Sequence, residues 1–240
     1  ELPVEGETGT RWLFKVDVLR GAPGSGALYR TGHFDGTRFV SDANEDWRVA
    51  DWGNDFYAAI AWHEPRDAAG RPAWIGWIGN HAYQGQLPRQ GWRGAMSTPR
   101  RLSLVRTGEE LVLRQEVEPA LVPQVPLADA SAAQALFAAR LIQPGGADFA
   151  LAIRDGEGRA VQVTRQGARL VLERTDPQSP FLDGSWQAEA DPADPVEIWI
   201  DGGSLEVLAG RGCAALTVQH RLSGAEYRLE RAEPAAASAA

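Results

Sequence analysis

Short runs of alternating apolar and polar residues, each closed by a turn bearing glycine or proline, recur along nearly the whole chain and point to β-sheet. The first runs through Trp12, Phe14, Val16 and Val18, with Arg11, Lys15 and Asp17 on the opposite face. A period of two is that of a half-buried strand, so the aromatic set is expected to be the covered one. Residues 21–26, Gly-Ala-Pro-Gly-Ser-Gly, read as a loop before a short strand at 28–30. Asp35-Gly36 between Phe34 and Phe39 is a strong hairpin signal, because both residues tolerate the positive φ of a tight turn. Strands are also predicted at 56–62 and 73–78, and Thr107-Gly108 joins a hairpin of 102–105 with 111–113. Nothing before residue 118 keeps a helical period.

Residues 118–126 read Glu-Pro-Ala-Leu-Val-Pro-Gln-Val-Pro, and prolines at that density cannot continue a sheet interior. A linker is therefore expected over 119–128, between one β domain at 1–118 and another at 129–234. In the second domain short strands are predicted at 135–142, 149–153, 161–164, 170–172, 196–200, 205–208 and 215–218. Asp155-Gly-Glu-Gly158 and Asp201-Gly-Gly203 supply turns, and a spacing of roughly eight to twelve residues suits a β-sandwich. The Ala/Ser-rich segment 235–240 reads as a tail.

Composition narrows the chemistry. No run of eighteen apolar residues occurs, which excludes a transmembrane helix. A net charge of −8 argues against a surface for phosphate or nucleic acid. The single Cys213 excludes an internal disulfide and a cysteine-based metal site, and His33, His63, His81 and His220 are too scattered for a local metal motif. No nucleophile elbow, Walker loop, dinucleotide fingerprint or zinc-protease motif is present. Neither a cofactor nor a metal is expected.

The 9 tryptophans are many for 240 residues, and several stand close to carboxylates. A carboxylate accepts sugar hydroxyls while an aromatic ring covers the C–H face, so that pairing suits carbohydrate. In Asp51-Trp-Gly-Asn-Asp55-Phe-Tyr57, strand periodicity would project Asp55 and Tyr57 to one face. Trp74 and Trp77, three positions apart, should face opposite sides of a strand, one to a core and one to a surface.

Four blocks in order carry a more specific signal. They are Tyr29-x-x-Gly32-x-Phe34-Asp35-Gly36-x-x-Phe39, Asp51-x-Gly53-x-Asp55-Phe56-Tyr57-Ala58, Trp74-Ile75-Gly76-Trp77, and Trp92-Arg93-Gly94-Ala95-Met96-Ser97-Thr98-Pro99-Arg100. Together they resemble glycoside hydrolase family 32, the invertases, levanases and inulinases. Ser204-Leu-Glu-Val-Leu208 resembles a strand of that family's C-terminal sandwich.

The resemblance implies an all-β chain holding the last part of a five-bladed β-propeller followed by a C-terminal β-sandwich. It implies a retaining glycosidase that cleaves β-fructofuranosyl bonds in levan, inulin or sucrose, secreted or periplasmic. The family's three carboxylate blocks (Trp-x-Asn-Asp-Pro-Asn-Gly, Arg-Asp-Pro and Glu-Cys) are absent, so no catalytic residue is assigned here. Glu1-Leu-Pro-Val4 resembles the stretch that follows the Glu-Cys block, which places the catalytic carboxylates upstream, on an N-terminal half of the propeller that acts as partner. By resemblance, Asp51, Asp55, Tyr57 and Trp77 line the substrate pocket, with Trp77 against the fructosyl ring and Asp51 toward the leaving group. Structural alternatives stand beside each: Asp55 fixing the turn before Phe56, Tyr57 as a hydrogen-bonded core tyrosine, Trp77 as core filling. Arg93 and Arg100 are expected to be structural. The rival for the whole chain is a non-catalytic carbohydrate-binding or structural β module.

Overall fold

Among the described residues, every regular element except three short 3-10 turns is a strand, as the punctuation of the sequence demands. The computed structural model describes residues 1–22, 24–42, 46–62, 64, 66–88, 94–117, 124–127, 139–223 and 228–232. His63, Trp92, Arg93, the 235–240 tail and most of the expected linker lie outside the described residues.

Strands β1 (Leu2–Pro3), β2 (Thr10–Ala22), β3 (Gly24–Phe34) and β4 (Phe39–Ser41) form the first sheet in that order, with β5 (Arg48–Val49) also paired to β3. The second sheet holds β6 (Tyr57–Trp62), β7 (Ala73–Ile78), β8 (Ala95–Met96), β9 (Arg100–Thr107) and β10 (Glu110–Val117), in the order β10-β9-β7-β6 with β8 on β7. Asp35-Gly36 closes its hairpin as expected: Phe34 pairs with Phe39, Gly36 takes φ +93°, and the Asp35 carboxylate accepts the Thr37 and Arg38 N–H groups. Thr107 likewise pairs with Glu110 across Gly108. The expected loop at 21–26 is mostly strand, since β2 runs on to Ala22 and β3 resumes at Gly24.

The two sheets share a core of Leu2, Val4, Tyr29, Phe56, Trp74, Leu102, Leu104 and Leu113. Which face of β2 enters it reverses the expectation. Leu13 packs against that core, whereas Trp12 and Phe14 remain 37% and 46% exposed. On the outer face they form an aromatic ladder, Trp12 on Phe34 at 5.2 Å and Phe14 on Phe39 at 5.3 Å. Period two fixes that residues alternate; it leaves open which set is covered.

The third sheet orders β11 (Gln124–Pro126), β12 (Ala139–Gln143), β17 (Val196–Asp201), β18 (Ser204–Ala209) and β19 (Ala214–Gln219). The fourth orders β16 (Gly184–Glu189), β15 (Arg169–Thr175), β14 (Ala160–Gln166), β13 (Phe149–Arg154) and β20 (Arg228–Ala232). Both contribute to one apolar cluster that includes Leu141, Ile198, Leu205 and Leu216 from the third sheet and Leu151, Val163 and Leu172 from the fourth. Burying each such side chain is worth about 1.5–3 kcal/mol. The proline-rich segment supplies β11, a strand at the sheet's edge, where the missing N–H of Pro126 is tolerated. β18 is buried at all six positions, and β19 at all but its last. A strand buried on both faces has a second partner besides its own core. For β18 and β19 that partner is the first half of the chain.

Candidate functional site

The block Asp51–Asp55 lies along β19 as though it were one more strand. Trp52 N–H donates to Ala215 O at 2.7 Å and Asp55 N–H to Thr217 O at 3.0 Å. In the other direction the aspartate side chains stand in for backbone carbonyls. Thr217 N–H donates to Asp51 Oδ1 at 2.8 Å and Gln219 N–H to Asp55 Oδ2 at 2.9 Å. Without them β19 would be an open sheet edge with unpaired donors. Gly53 is forced by this approach, because a Cβ there would fall onto the backbone N and O of Thr217.

Two arginines lock the same seam. Arg100, the first residue of β9, is fully buried. It donates to Asp51 Oδ2 at 3.0 Å, Gln115 Oε1 at 2.9 Å, Glu206 Oε2 at 2.6 Å and Thr217 Oγ1 at 2.7 Å. Glu206 also accepts the Thr98 N–H at 2.8 Å. Burial opposes the Arg100 charge, but Glu206 and Asp51 outweigh it and hold the guanidinium above its ordinary value. Arg174 of β15 donates to Asp55 Oδ2 at 2.8 Å and to Gln219 O at 2.6 Å. Tyr83 donates its hydroxyl to Asp55 Oδ1, and burial followed by the Asp55 charge pushes that phenol far up, so it stays protonated. Next to this cluster His220 is buried. Burial, then the Arg174 charge, lowers its imidazole from 6.5 to about 4.

Asp51 and Asp55 therefore sit inside the protein, each side chain 0% exposed. Direct contact with a sugar needs a lone pair at the surface, and their oxygens are engaged by Arg100, Arg174, Tyr83 and the β19 backbone. The structure does not bring them together with Tyr57 and Trp77. Asp55 precedes β6 rather than lying in it, so the expected alternation does not carry it to the face of Tyr57.

Tyr57 and Trp77 are cross-strand partners, half-buried, and form an open aromatic corner with exposed His81. Tyr57 meets Trp77 edge-on at 6.2 Å and His81 at 4.9 Å, and Trp77 lies 5.3 Å from His81. Trp74 goes the other way, into the core against Phe56, as their spacing requires. Two glycines make room for the indole. A Cβ on Gly94, which sits at φ +83°, would come within 2.8 Å of Trp77 Nε1, and one on Gly79 would strike the ring. Beside Tyr57, Ala58 holds φ +51° in a bulge that shifts the β6–β7 register. Such strain in a non-glycine residue costs of order 1–3 kcal/mol and is common where a side chain must be re-aimed. The corner offers apolar ring faces beside an indole N–H, a phenol and an imidazole. Among the described residues no cluster of three acidic, histidine or cysteine side chains is placed to hold a metal ion.

Residues 2–115 match the sequence profile of the glycosyl hydrolases family 32 N-terminal domain. Residues 2–115 belong to glycoside hydrolase family 32. Beyond that segment the likeness continues: a levanase of Bacillus subtilis is 31% identical over 252 residues, covering 90% of this chain and 37% of the levanase. An extracellular exo-inulinase of Aspergillus niger is 28% identical, covering 91% of this chain and 48% of that enzyme. Among solved structures, a β-fructofuranosidase from Schwanniomyces occidentalis complexed with fructosyl-erythritol superposes with TM-score 0.77 at 20% identity, over 96% of this chain and 54% of that one. Exo-inulinase from Aspergillus awamori gives TM-score 0.73 at 23% identity, over 98% and 53%. At that identity the superpositions speak for the fold alone, and the chain spans about half or less of each relative. The family 32 segment ends two residues before β10 does, yet its buried charges are paired with Glu206 and Thr217, far outside it. Sequence reading missed these partners and His81. The detectable signal for Glu206 was a lone acid in an otherwise apolar strand, Leu205-Glu-Val-Leu208.

Proposed function

We propose that the chain is the C-terminal portion of a retaining glycoside hydrolase that cleaves β-fructofuranosyl bonds in levan, inulin or sucrose. The observation that carries this reading is the Tyr57–Trp77–His81 corner, an indole held half-open between two glycines beside a strained bulge. Trp77 covers the C–H face of a fructosyl ring, and Tyr57 sets the angle of the indole. Asp51 and Asp55 serve this pocket from behind, by fixing the segment that carries Tyr57. Residues 1–118 are the last part of a five-bladed propeller, 119–128 the link and 129–234 the sandwich.

The catalytic carboxylates belong to a further propeller segment that acts as partner. In support, the family's three carboxylate blocks have no counterpart in the sequence, and the first sheet presents an uncovered aromatic face at Trp12, Phe14 and Phe34. One carboxylate of that segment would attack the anomeric carbon while another protonates the leaving oxygen. The second then takes a proton from a water whose oxygen bonds to the anomeric carbon, and the ester to the first carboxylate breaks to release the sugar. Extracellular relatives favour a secreted or periplasmic location.

The test is to assay levan, inulin and sucrose with the 240-residue chain alone and co-expressed with a family 32 segment bearing the three blocks. Hydrolysis is expected only in the mixture, and Trp77→Ala should abolish most of it. Robust hydrolysis by the chain alone would overturn the location of the carboxylates. A folded complex that binds fructan and never cleaves it would establish the non-catalytic module instead.

A further inference from the structure

The block Asp51–Asp55 points its aspartates into the seam and leaves Trp52 outside it. Trp52 is 41% exposed, although its backbone N–H is tied to Ala215 and its two neighbours are fixed against Thr217. An exposed indole on so rigid a mount has already lost the backbone freedom that binding would otherwise cost. It faces a cleft of about 1090 Å³ that opens between the first two sheets and the sandwich. Trp47 lines the same cleft, with one face covered by the Arg30 guanidinium at 4.6 Å. The far wall is polar and comes from β15 and β16, where Arg169 donates to Gln187 at 3.2 Å beside Glu189. Four arginines around the cleft are balanced by four carboxylates. A balanced wall has no attraction for a polyanion, yet it carries both donors and acceptors, which suits neutral hydroxyls. The volume is that of an oligosaccharide site rather than a monosaccharide pocket.

We infer that this cleft is a second carbohydrate site, distinct from the Tyr57–Trp77 corner, that holds a neutral fructo-oligosaccharide with Trp52 as its stacking platform. The choice of fructan rests on the function proposed above; the site itself rests on the cleft. Its role would be to retain a polymer chain next to the seam while one end is processed elsewhere.

The experiment is titration of the 240-residue chain with a levan-derived fructo-oligosaccharide, followed by calorimetry and tryptophan emission. Trp52→Ala should weaken binding by about tenfold, Trp52→Phe by less, and Trp77→Ala should leave this binding in place. Urea midpoints of the variants separate lost binding from lost folding. Unchanged affinity in Trp52→Ala, absence of binding by the parent chain, or equal binding of maltohexaose would each overturn the proposal. Trp52-dependent binding without hydrolysis in the co-expression assay would sink the proposed activity and leave this site standing.

Discussion

Asp55 and Tyr57 are two residues apart and have opposite fates. Asp55 is sealed in a seam where it, Arg174 and Tyr83 satisfy one another, while Tyr57 stands in a half-open corner whose partners are rings. The seam is dense, hydrogen-bonded and intolerant; the corner is strained and open. One sequence block thus carries both a structural clamp and a candidate sugar-facing surface. The clamp makes the surface rigid, because the chain leaves the clamp at Asp55 and enters the bulge at Ala58 with no slack between them.

That contrast can be broken from either side, and the seam should give the largest effect. Arg100→Met strands Asp51 and Glu206 as buried unpaired charges, so urea unfolding should show a loss of about 3–5 kcal/mol. Gly53→Ala should cost about 3 kcal/mol in the same measurement, since the added methyl meets backbone rather than a movable side chain. Acid should loosen the seam through His220. Its folded value, about 4, lies below its ordinary 6.5, so the unfolded chain binds the proton more readily. Stability is therefore full above pH 6.5 and falls as the pH drops toward about 4, by up to about 3 kcal/mol. His220→Gln should flatten that part of the pH profile of the urea midpoint. The corner should behave in the reverse manner. Trp77→Phe should alter stability by about 1 kcal/mol or less, while weakening fructoside binding in the assembled enzyme about tenfold. If Trp77→Phe proved as destabilising as Arg100→Met, the corner would be core and the contrast would fail.

Much of the fold was legible because its signals are local. The Asp35-Gly36 and Thr107-Gly108 turns, and the opposite destinations of Trp74 and Trp77, follow from φ preferences and side-chain alternation. What was missed depended on a second surface. The burial of Trp12 and Phe14 was misjudged because alternation names two faces without saying which one a neighbour covers. Within the candidate site, Tyr57 and Trp77 were each read as facing the pocket and Tyr57 was grouped with Asp55, whereas the register sets Tyr57 opposite Trp77. Asp51 and Asp55 were read as pocket residues from their place beside aromatics, but an exposed carboxylate and one buried against arginine look alike in sequence.

The sequence by itself determined an all-β chain, the positions of its hairpins, and the four blocks that mark the family. Tertiary structure decided where the charges went. Glu206 and Arg174 lie more than a hundred residues from the groups they pair with, and whether a carboxylate is a ligand or a clamp depends on whether a guanidinium reaches it first. That is settled by the packing of one sheet's edge against another segment, and no spacing along the chain encodes it.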